Sequence, residues 1–263
     1  VNNMDKRLRD FMQSFNGVAT KYLQNYLNWF LVLEKIKNNT KRMAMVTAIA
    51  LTSVALSTII FTPYIKADSL SANVGATSNY LWRGLEQTNG RSAVSGGIDY
   101  EADSGLYIGT WASNADWAEG MTYELDVYGG YSATINEAVS YDIGFIYYAY
   151  PDELSGNADF SEMYVNLSFN TLTLGAAVLA SGDNADAGDT LYLSADYALT
   201  IANETELAFH LGSYTGDWLA EDSIDYGVSI SKSGFTLGAS ATDLDGAAGD
   251  LKVYVSYAID IDL

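Results

Sequence analysis

The chain has 263 residues, of which 49% are hydrophobic and 13% aromatic, with 20 Tyr, 23 Gly and only two Pro. This profile supplies enough apolar surface for a sizeable structure and favours strands over helices. The formal charge of -20 argues against nucleic acid as a partner, and the absence of Cys excludes disulfides and Cys-based zinc sites.

The first 67 residues differ in charge from the rest. They hold nine of the 13 Lys and Arg residues but only three of the 33 acidic residues. The basic segment KIKNNTKR at 35–42 precedes an uncharged, largely apolar stretch at 43–65, which is the order of a secretory signal. We predict a signal peptide over residues 43–67, cleaved after Ala67. A transmembrane anchor is the alternative, because about 20 apolar residues can span a bilayer.

Residues 1–42 form an N-terminal extension that is too long for an ordinary signal n-region. Their aromatic residues recur with the period of an amphipathic helix. We interpret this extension as sequence upstream of the true start, which we place at Met43 or Met45, so that residues 1–42 are an over-called start. A membrane-surface helix is the alternative. The mature protein then comprises residues 68–263.

From residue 70 onward, apolar and polar residues alternate. At the C-terminus, for example, Val253, Val255, Tyr257 and Ile259 share one parity. Period two gives a strand one apolar and one polar face. The pattern predicts twelve strands: 70–80, 92–101, 106–114, 122–133, 138–150, 160–170, 171–181, 190–199, 204–214, 224–231, 235–242 and 251–261.

The predicted connectors alternate in length. Long segments such as PDELSGNAD at 151–159 follow odd-numbered strands, and short links such as KSG at 232–234 follow even-numbered ones. An even number of strands with long loops at one end and tight turns at the other is typical of a transmembrane barrel. The fold class is therefore predicted as all-β: a 12-stranded antiparallel transmembrane β-barrel, closed between its first and last strands and preceded by a helical signal and extension.

In such a barrel the apolar parity contacts lipid and the polar parity faces the lumen. Aromatic residues near the long loops are then expected to form a girdle at the outer interface. Packing inside the structure is the alternative for them. The predicted girdle residues are Tyr80, Trp82, Trp111, Trp117, Tyr150 and Trp218.

One segment of the chain resembles a known family. The pieces SNYLWRG at 78–84, Gln87-Thr88, and GLYIGTWASN at 105–114 are similar to the opening of the TorF-type porin family of proteobacterial outer-membrane proteins. This resemblance implies location in the cell outer membrane, contact with outer-membrane lipid, insertion by the barrel-assembly machinery, and a suspected pore without a known substrate.

The polar parity predicts an acidic lumen. Such a lumen favours cations, because charges that line a low-dielectric channel act on permeant ions. We predict a passive channel for small cationic or neutral solutes; the alternative is a non-conducting barrel that presents acidic extracellular loops to partners. Twelve strands lie between the filled and the open size classes, so that Tyr128, Tyr148, Tyr164 and Tyr192 could narrow or plug the lumen. The predicted pore-lining residues are Arg83, Asp99, Glu101, Glu124, Asp126, Asp142, Glu162, Asp196, Glu206 and Asp225.

Three further features bear on ion passage, catalysis or cation binding. Arg83 either shapes a constriction or forms a structural ion pair or a stack on Trp82 that holds its loop. His210, the single His, faces inward without a nucleophile motif, so no enzyme and no cofactor are predicted. The acidic loops at 182–189 and 243–250 could bind divalent cations loosely, although solvated loops are the simpler interpretation.

Overall fold

The structure is a computed structural model that describes residues 68–154 and 158–263. The predicted signal peptide and extension, residues 1–67, lie outside the described residues. Within the described part of the chain, no helix is both long and apolar enough to cross a bilayer.

The described residues form fourteen strands and two short 3₁₀ turns, Ala202–Glu204 and Gly246–Ala248. The strands are β1 (Ser69–Thr77), β2 (Leu81–Trp82), β3 (Leu85–Glu86), β4 (Ala93–Glu101), β5 (Leu106–Asn114), β6 (Tyr123–Asn136), β7 (Val139–Ala149), β8 (Phe160–Phe169), β9 (Leu172–Gly182), β10 (Thr190–Thr200), β11 (Glu206–Gly216), β12 (Ser223–Lys232), β13 (Phe235–Thr242) and β14 (Lys252–Asp262).

Twelve of these strands, β1 and β4–β14, form a closed antiparallel barrel, and β2 pairs only with β3. Each barrel strand pairs with its neighbour in sequence, and β1 closes the ring against β14 from Ser71↔Asp262 to Thr77↔Ser256. Closure pairs the backbone of the first and last strands and leaves no sheet edge. The predicted twelve strands and their closure are confirmed.

The two ends of the barrel differ as the connector lengths predicted. One end, here called the loop end, carries the segments 78–92, 115–122, 150–159, 183–189, 217–222 and 243–251. The other, here called the turn end, carries 102–105, 137–138, 170–171, 201–205 and 233–234, together with both ends of the described chain.

The outer face of the barrel is apolar. Aliphatic side chains such as Ile98 and Val255 are about half exposed, at 54% and 51%. Exposed aromatic residues lie toward both ends of the wall, as in the interfacial girdles of membrane barrels. They are Tyr123, Tyr147 and Tyr226 toward the loop end, and Tyr100, Tyr131, Phe169, Phe235 and Tyr257 toward the turn end; Phe145, also exposed, lies near the middle of β7.

The predicted girdle is wrong for most of its members. Tyr80 and Tyr150 are buried, Trp82 packs against inward-facing rings, and Trp111 has the inward parity of β5. Trp117 is largely exposed. The physical reason is that loop-end segments fold inward over the lumen, so their aromatic residues pack against one another instead of meeting lipid.

Candidate functional site

The interior of the barrel carries the polar parity. All nine predicted acidic residues lie on inward-facing positions of their strands, and they differ in burial. Glu124, Asp126, Glu162 and Asp225 are buried; Asp99, Glu101, Asp142 and Asp196 are half-buried; Glu206 is exposed at the turn end.

A short hairpin, made of β2 and β3 and here called the inner hairpin, occupies residues 81–86. Leu81 pairs with Glu86 and Trp82 with Leu85, which leaves Arg83 and Gly84 as a two-residue turn. Both turn residues have positive φ, 48° and 76°, as a type I′ hairpin turn requires. The connector pattern predicts only a loop here; the local signal for the hairpin is the Arg83-Gly84 pair between two short strands.

Contacts of the inner hairpin place it inside the barrel. Trp82 packs edge-on against rings of β7, β8 and β11, and a Cβ added to Gly84 would lie 2.6 Å from Thr242 on β13 and 3.0 Å from Asp225 on β12. The Tyr80 hydroxyl donates to Glu124 on β6 over 3.0 Å. One short segment can reach strands all around the ring only by crossing its lumen.

Arg83 lies at the centre of these contacts and is 7% exposed. Its two terminal nitrogens donate to the two carboxylate oxygens of Glu162 over 2.9 and 2.6 Å. Its guanidinium carbon also lies 4.2, 4.1 and 4.5 Å from the ring centroids of Trp82, Tyr192 and Tyr214. The structural alternative predicted for Arg83 is therefore present in both of its forms, the ion pair and the stack on Trp82.

His210 belongs to a second network in the wall next to this ion pair. Its Nδ1 lies 2.9 Å from Asp196 and its Nε2 lies 2.6 Å from Asp225. The Tyr192 hydroxyl donates to Asp225 over 3.1 Å and lies 2.8 Å from His210 Nε2. Because ionised carboxylates only accept hydrogen bonds, both ring nitrogens are placed to donate to them. The network orients the Tyr192 ring toward Arg83.

The loop end of the lumen is further closed by an apolar cluster under the loops. Its buried members are Ala115, Met121, Tyr148, Tyr150, Phe160 and Leu179. On the opposite side an open cleft of about 470 Å³ lies between the base of the inner hairpin and β14, with Glu86 and Asp250 in its lining. The neighbouring cavity, which shares Asn79 with the cleft and reaches Tyr254, holds only about 10 Å³. The lumen is thus narrow at this end.

Toward the turn end, tyrosine hydroxyls reach carboxylates on strands that do not pair with their own. Tyr107 on β5 donates to Asp142 on β7 over 2.6 Å, and Tyr128 on β6 donates to Asp99 on β4. The opposite wall offers small inward residues, including Gly227, Ser231 and Ser256. The turn-end half is therefore polar, and its bulky side chains occupy one side. Among the predicted tyrosines, Tyr128, Tyr148, Tyr164 and Tyr192 all have inward parity.

Two buried carboxylates stand next to each other on β6. Glu124 and Asp126 are 1% and 6% exposed, and their Oε2 and Oδ1 atoms have no hydrogen-bond partner within the described residues. Trp111, which pairs directly with Asp126, has an indole N–H without a partner in the same part of the chain. Two like charges in a poorly solvated site are costly when no cation compensates them.

We expect Asp126→Asn to stabilise the protein. The substitution preserves shape and removes one of two adjacent buried carboxyls, so the free energy of unfolding should rise by up to about 1–2 kcal/mol at a pH high enough for both wild-type carboxyls to ionise. Urea unfolding in detergent micelles, followed by tryptophan fluorescence, measures this, and the gain should shrink in acid, where the wild-type carboxyl is also neutral. A loss of stability at such a high pH would contradict the interpretation.

Carboxylates of the acidic loops accept hydrogen bonds from backbone amides. Asp189 accepts from the Asp186 amide over 2.7 Å, and Asp243 accepts from the Ile224 amide over 2.6 Å. Among residues 68–154 and 158–263, no three His, Asp or Glu side chains converge as a metal site requires. Loose binding of divalent cations at 182–189 and 243–250 stays a prediction.

Solved structures similar to this chain are barrels. The KdgM porin aligns with 74% of this chain and 99% of its own, at 10% identity and a TM-score of 0.47; the NanC porin aligns with 74% and 98%, at 13% and 0.41. OprD from Pseudomonas aeruginosa aligns with 73% of this chain and 67% of its own, at 14% and 0.36. At these values the likenesses do not bear on what this barrel binds or conducts.

Sequence comparison gives a family. No curated protein matches the chain. The model of a bacterial family described as "Bacterial protein of unknown function (Gcw_chp)" matches residues 66–260. The match reaches every barrel strand, ending within β14, and includes the segment that resembles TorF-type porins. The family description does not name those porins, so that resemblance stays a prediction. The chain therefore belongs to the Gcw_chp family of bacterial proteins.

Proposed function

We propose that this protein spans an outer membrane as a β-barrel and conducts small cationic or neutral solutes through an acidic lumen that the inner hairpin narrows. The observation that carries the proposal is the inverted polarity of the wall. Charged side chains such as Glu162, Asp225 and Lys252 are buried inside, whereas large aliphatic side chains cover the outside. In water, such an apolar outer surface would be strongly unfavourable, whereas in a lipid bilayer it is favourable.

The wall also supports a membrane-spanning role through its lengths and ends. The barrel strands contain 8–14 residues, near the 9–11 that a tilted strand needs to cross the hydrocarbon core. The aromatic residues exposed at both ends fit the two interfaces. The termini of the described barrel lie at the turn end, which we assign to the periplasm, and the long acidic loops then face outward.

The preference for cations follows from the inward charges. The nine predicted carboxylates have inward parity, and so do Asp260 and Asp262 on β14. Of the inward basic residues in the described part of the chain, Arg83 is paired with Glu162, and His210 lies between Asp196 and Asp225. The Lys252 ammonium donates to the carbonyls of Ala248 and Asp250 over 2.6 and 3.0 Å. The half-buried Asp99 and Asp142 place negative charge in the turn-end half of the lumen. A permeating cation is attracted by this surplus and an anion is repelled.

The experiment is planar-bilayer conductance of the purified full-length protein under a KCl gradient. We expect small discrete steps and a reversal potential that shows K⁺ passing more readily than Cl⁻. Neutralising both turn-end acids in Asp99→Asn/Asp142→Asn should move that reversal potential toward zero, because it removes fixed charge from the lumen. The control is Glu137→Gln, which removes an exposed charge from the turn between β6 and β7.

The second candidate is the non-conducting barrel with a structural or interaction role. The observation in its favour is the inner hairpin itself, which crosses the lumen and packs against the apolar cluster at the loop end. Protein that migrates as a folded, heat-modifiable barrel but gives no steps in the bilayer would support this candidate and defeat the channel.

A further inference from the structure

The surroundings of Arg83 have the composition of a receptor for a guanidinium group. One carboxylate, Glu162, meets the guanidinium in the two-point geometry that a planar fork allows, with both distances at or below 2.9 Å. Aromatic rings contact the same group, with centroids 4.1–4.5 Å from its central carbon. Carboxylate pairing and cation–π contact are the two interactions that recognise guanidinium compounds most specifically.

Most of this receptor belongs to the barrel wall and not to the inner hairpin. Glu162 lies on β8, Tyr192 on β10 and Tyr214 on β11, whereas Trp82 is on the hairpin next to Arg83. These three wall residues, here called the cation cage, would keep their positions if the hairpin moved away. β10 and β11 are held by a continuous ladder to each other, and β8 pairs without interruption with β7, whereas its ladder to β9 has a bulge between Ser161 and Glu162.

The wall also orients the cage from behind. The Tyr192 hydroxyl is fixed by Asp225 and His210, and the Tyr214 ring packs edge-on against Tyr192 with centroids 5.8 Å apart. The Tyr148 hydroxyl lies 3.5 Å from Glu162 Oε2. A site whose rings and carboxylate are positioned before the ligand arrives loses less entropy on binding than a flexible one.

We propose that the cation cage of Glu162, Tyr192 and Tyr214 is a binding site for guanidinium compounds, and that Arg83 occupies it as a tethered ligand. A free guanidinium solute that enters the lumen takes the place of Arg83 and displaces the inner hairpin from the wall. This inference names a solute class for the channel proposed above and rests on that proposal for the solute's access in the cell. Binding itself can be measured without ion flow.

The tether sets how strongly a free solute can bind. Arg83 competes as an intramolecular ligand at a high effective concentration, so the apparent affinity of the wild-type cage equals its intrinsic affinity multiplied by the fraction of time that the cage is empty. Removal of the Arg83 side chain should therefore reveal an affinity that the wild type hides. The cage should prefer guanidinium to ammonium compounds, because an ammonium group cannot make two parallel hydrogen bonds to the Glu162 carboxylate.

The test uses full-length Arg83→Ala in detergent micelles, with methylguanidinium as the probe and isothermal titration calorimetry as the readout. We expect saturable 1:1 binding at least about tenfold tighter than in the wild type. Methylammonium should bind at least about tenfold more weakly than methylguanidinium to the same variant. Arg83→Ala/Glu162→Gln, which keeps both tyrosines and removes the fork's partner, should lose the preference between the two probes.

Equal binding of methylguanidinium and methylammonium to folded Arg83→Ala would overturn the inference. The inference would also fail if Arg83→Ala/Glu162→Gln bound methylguanidinium as tightly as Arg83→Ala does. If Arg83→Ala does not fold, Arg83→Lys replaces it, because Lys keeps the positive charge but lacks the planar fork. Methylguanidinium should bind this variant more tightly than the wild type, since a lysine at this position is easier to displace than Arg83. An apparent affinity equal to that of the wild type would count against the cage. If methylguanidinium binds in the calorimeter but the protein gives no conductance steps in the bilayer, only the channel proposal fails. If the protein conducts ions but does not bind methylguanidinium, only the cation cage fails.

Discussion

Excision of the inner hairpin should open the lumen. Replacing residues 81–86 by Asn-Gly joins Tyr80 to Gln87, whose amide already donates to the Tyr80 carbonyl over 2.8 Å, through a favoured two-residue turn. Because the hairpin spans from β8 to β13, its removal leaves only the apolar cluster across this end of the lumen, and the single-channel conductance of the full-length protein should rise several-fold.

A point substitution should act in the same direction as the excision and to a smaller extent. Gly84→Ala puts a methyl group against Thr242 and Asp225 at a positive φ that disfavours a side chain. The hairpin must then move away from the wall of β12 and β13. Unchanged conductance in both variants, each verified as a heat-modifiable folded barrel, would mean that the route of the ions does not pass the hairpin.

Glu162→Gln should cause the second large effect, a loss of stability. The substitution leaves the Arg83 guanidinium without its charged partner in a site where both side chains are almost wholly buried, at 8% and 1% side-chain exposure. Breaking one side of such a pair typically costs about 3–5 kcal/mol, which is the upper limit here because the hairpin can instead swing out. Urea unfolding in detergent micelles gives the value.

Two controls separate the ion pair from a general effect of charge. Glu137→Gln removes an exposed carboxylate at the turn end and should change the free energy of unfolding little, since isolated surface charges contribute about 0–1 kcal/mol. Arg83→Met/Glu162→Gln removes both charges and should recover much of the loss, because the two sites are coupled. If Glu162→Gln and Glu137→Gln change the free energy of unfolding by the same small amount, the buried Arg83–Glu162 pair contributes nothing measurable to stability.

The strand plan was readable from the sequence because parity is a local property. In β12, for example, Ile224, Tyr226 and Val228 alternate with Asp225, Gly227 and Ser229, and the structure places the first set outside and the second inside. A one-residue shift would exchange the faces, so the pattern leaves little freedom. The same reasoning put the acidic residues on the inner parity, and all nine lie there.

The errors lie where the chain leaves the strands. Trp82 and Tyr80 were assigned to a lipid girdle because they stand near the top of a strand, yet the segment after Thr77 turns into the lumen. Alternation says nothing about a loop, and an aromatic residue beside a loop suits an interface or a packed interior equally well. The Arg-Gly turn was the one local sign of the inner hairpin.

The amino-acid pattern alone determined the strand number, the antiparallel order and the polarity of the two faces, because each depends on neighbours within about ten residues. Closure followed from the physical requirement that a sheet in a bilayer leave no unpaired edge. Only the tertiary structure decided that Arg83 meets Glu162, 79 residues away, and that His210 lies between Asp196 and Asp225. The Arg83–Glu162 contact depends on the inward fold of one loop, and the His210 contacts depend on the register of β10, β11 and β12, neither of which the alternation of residues specifies.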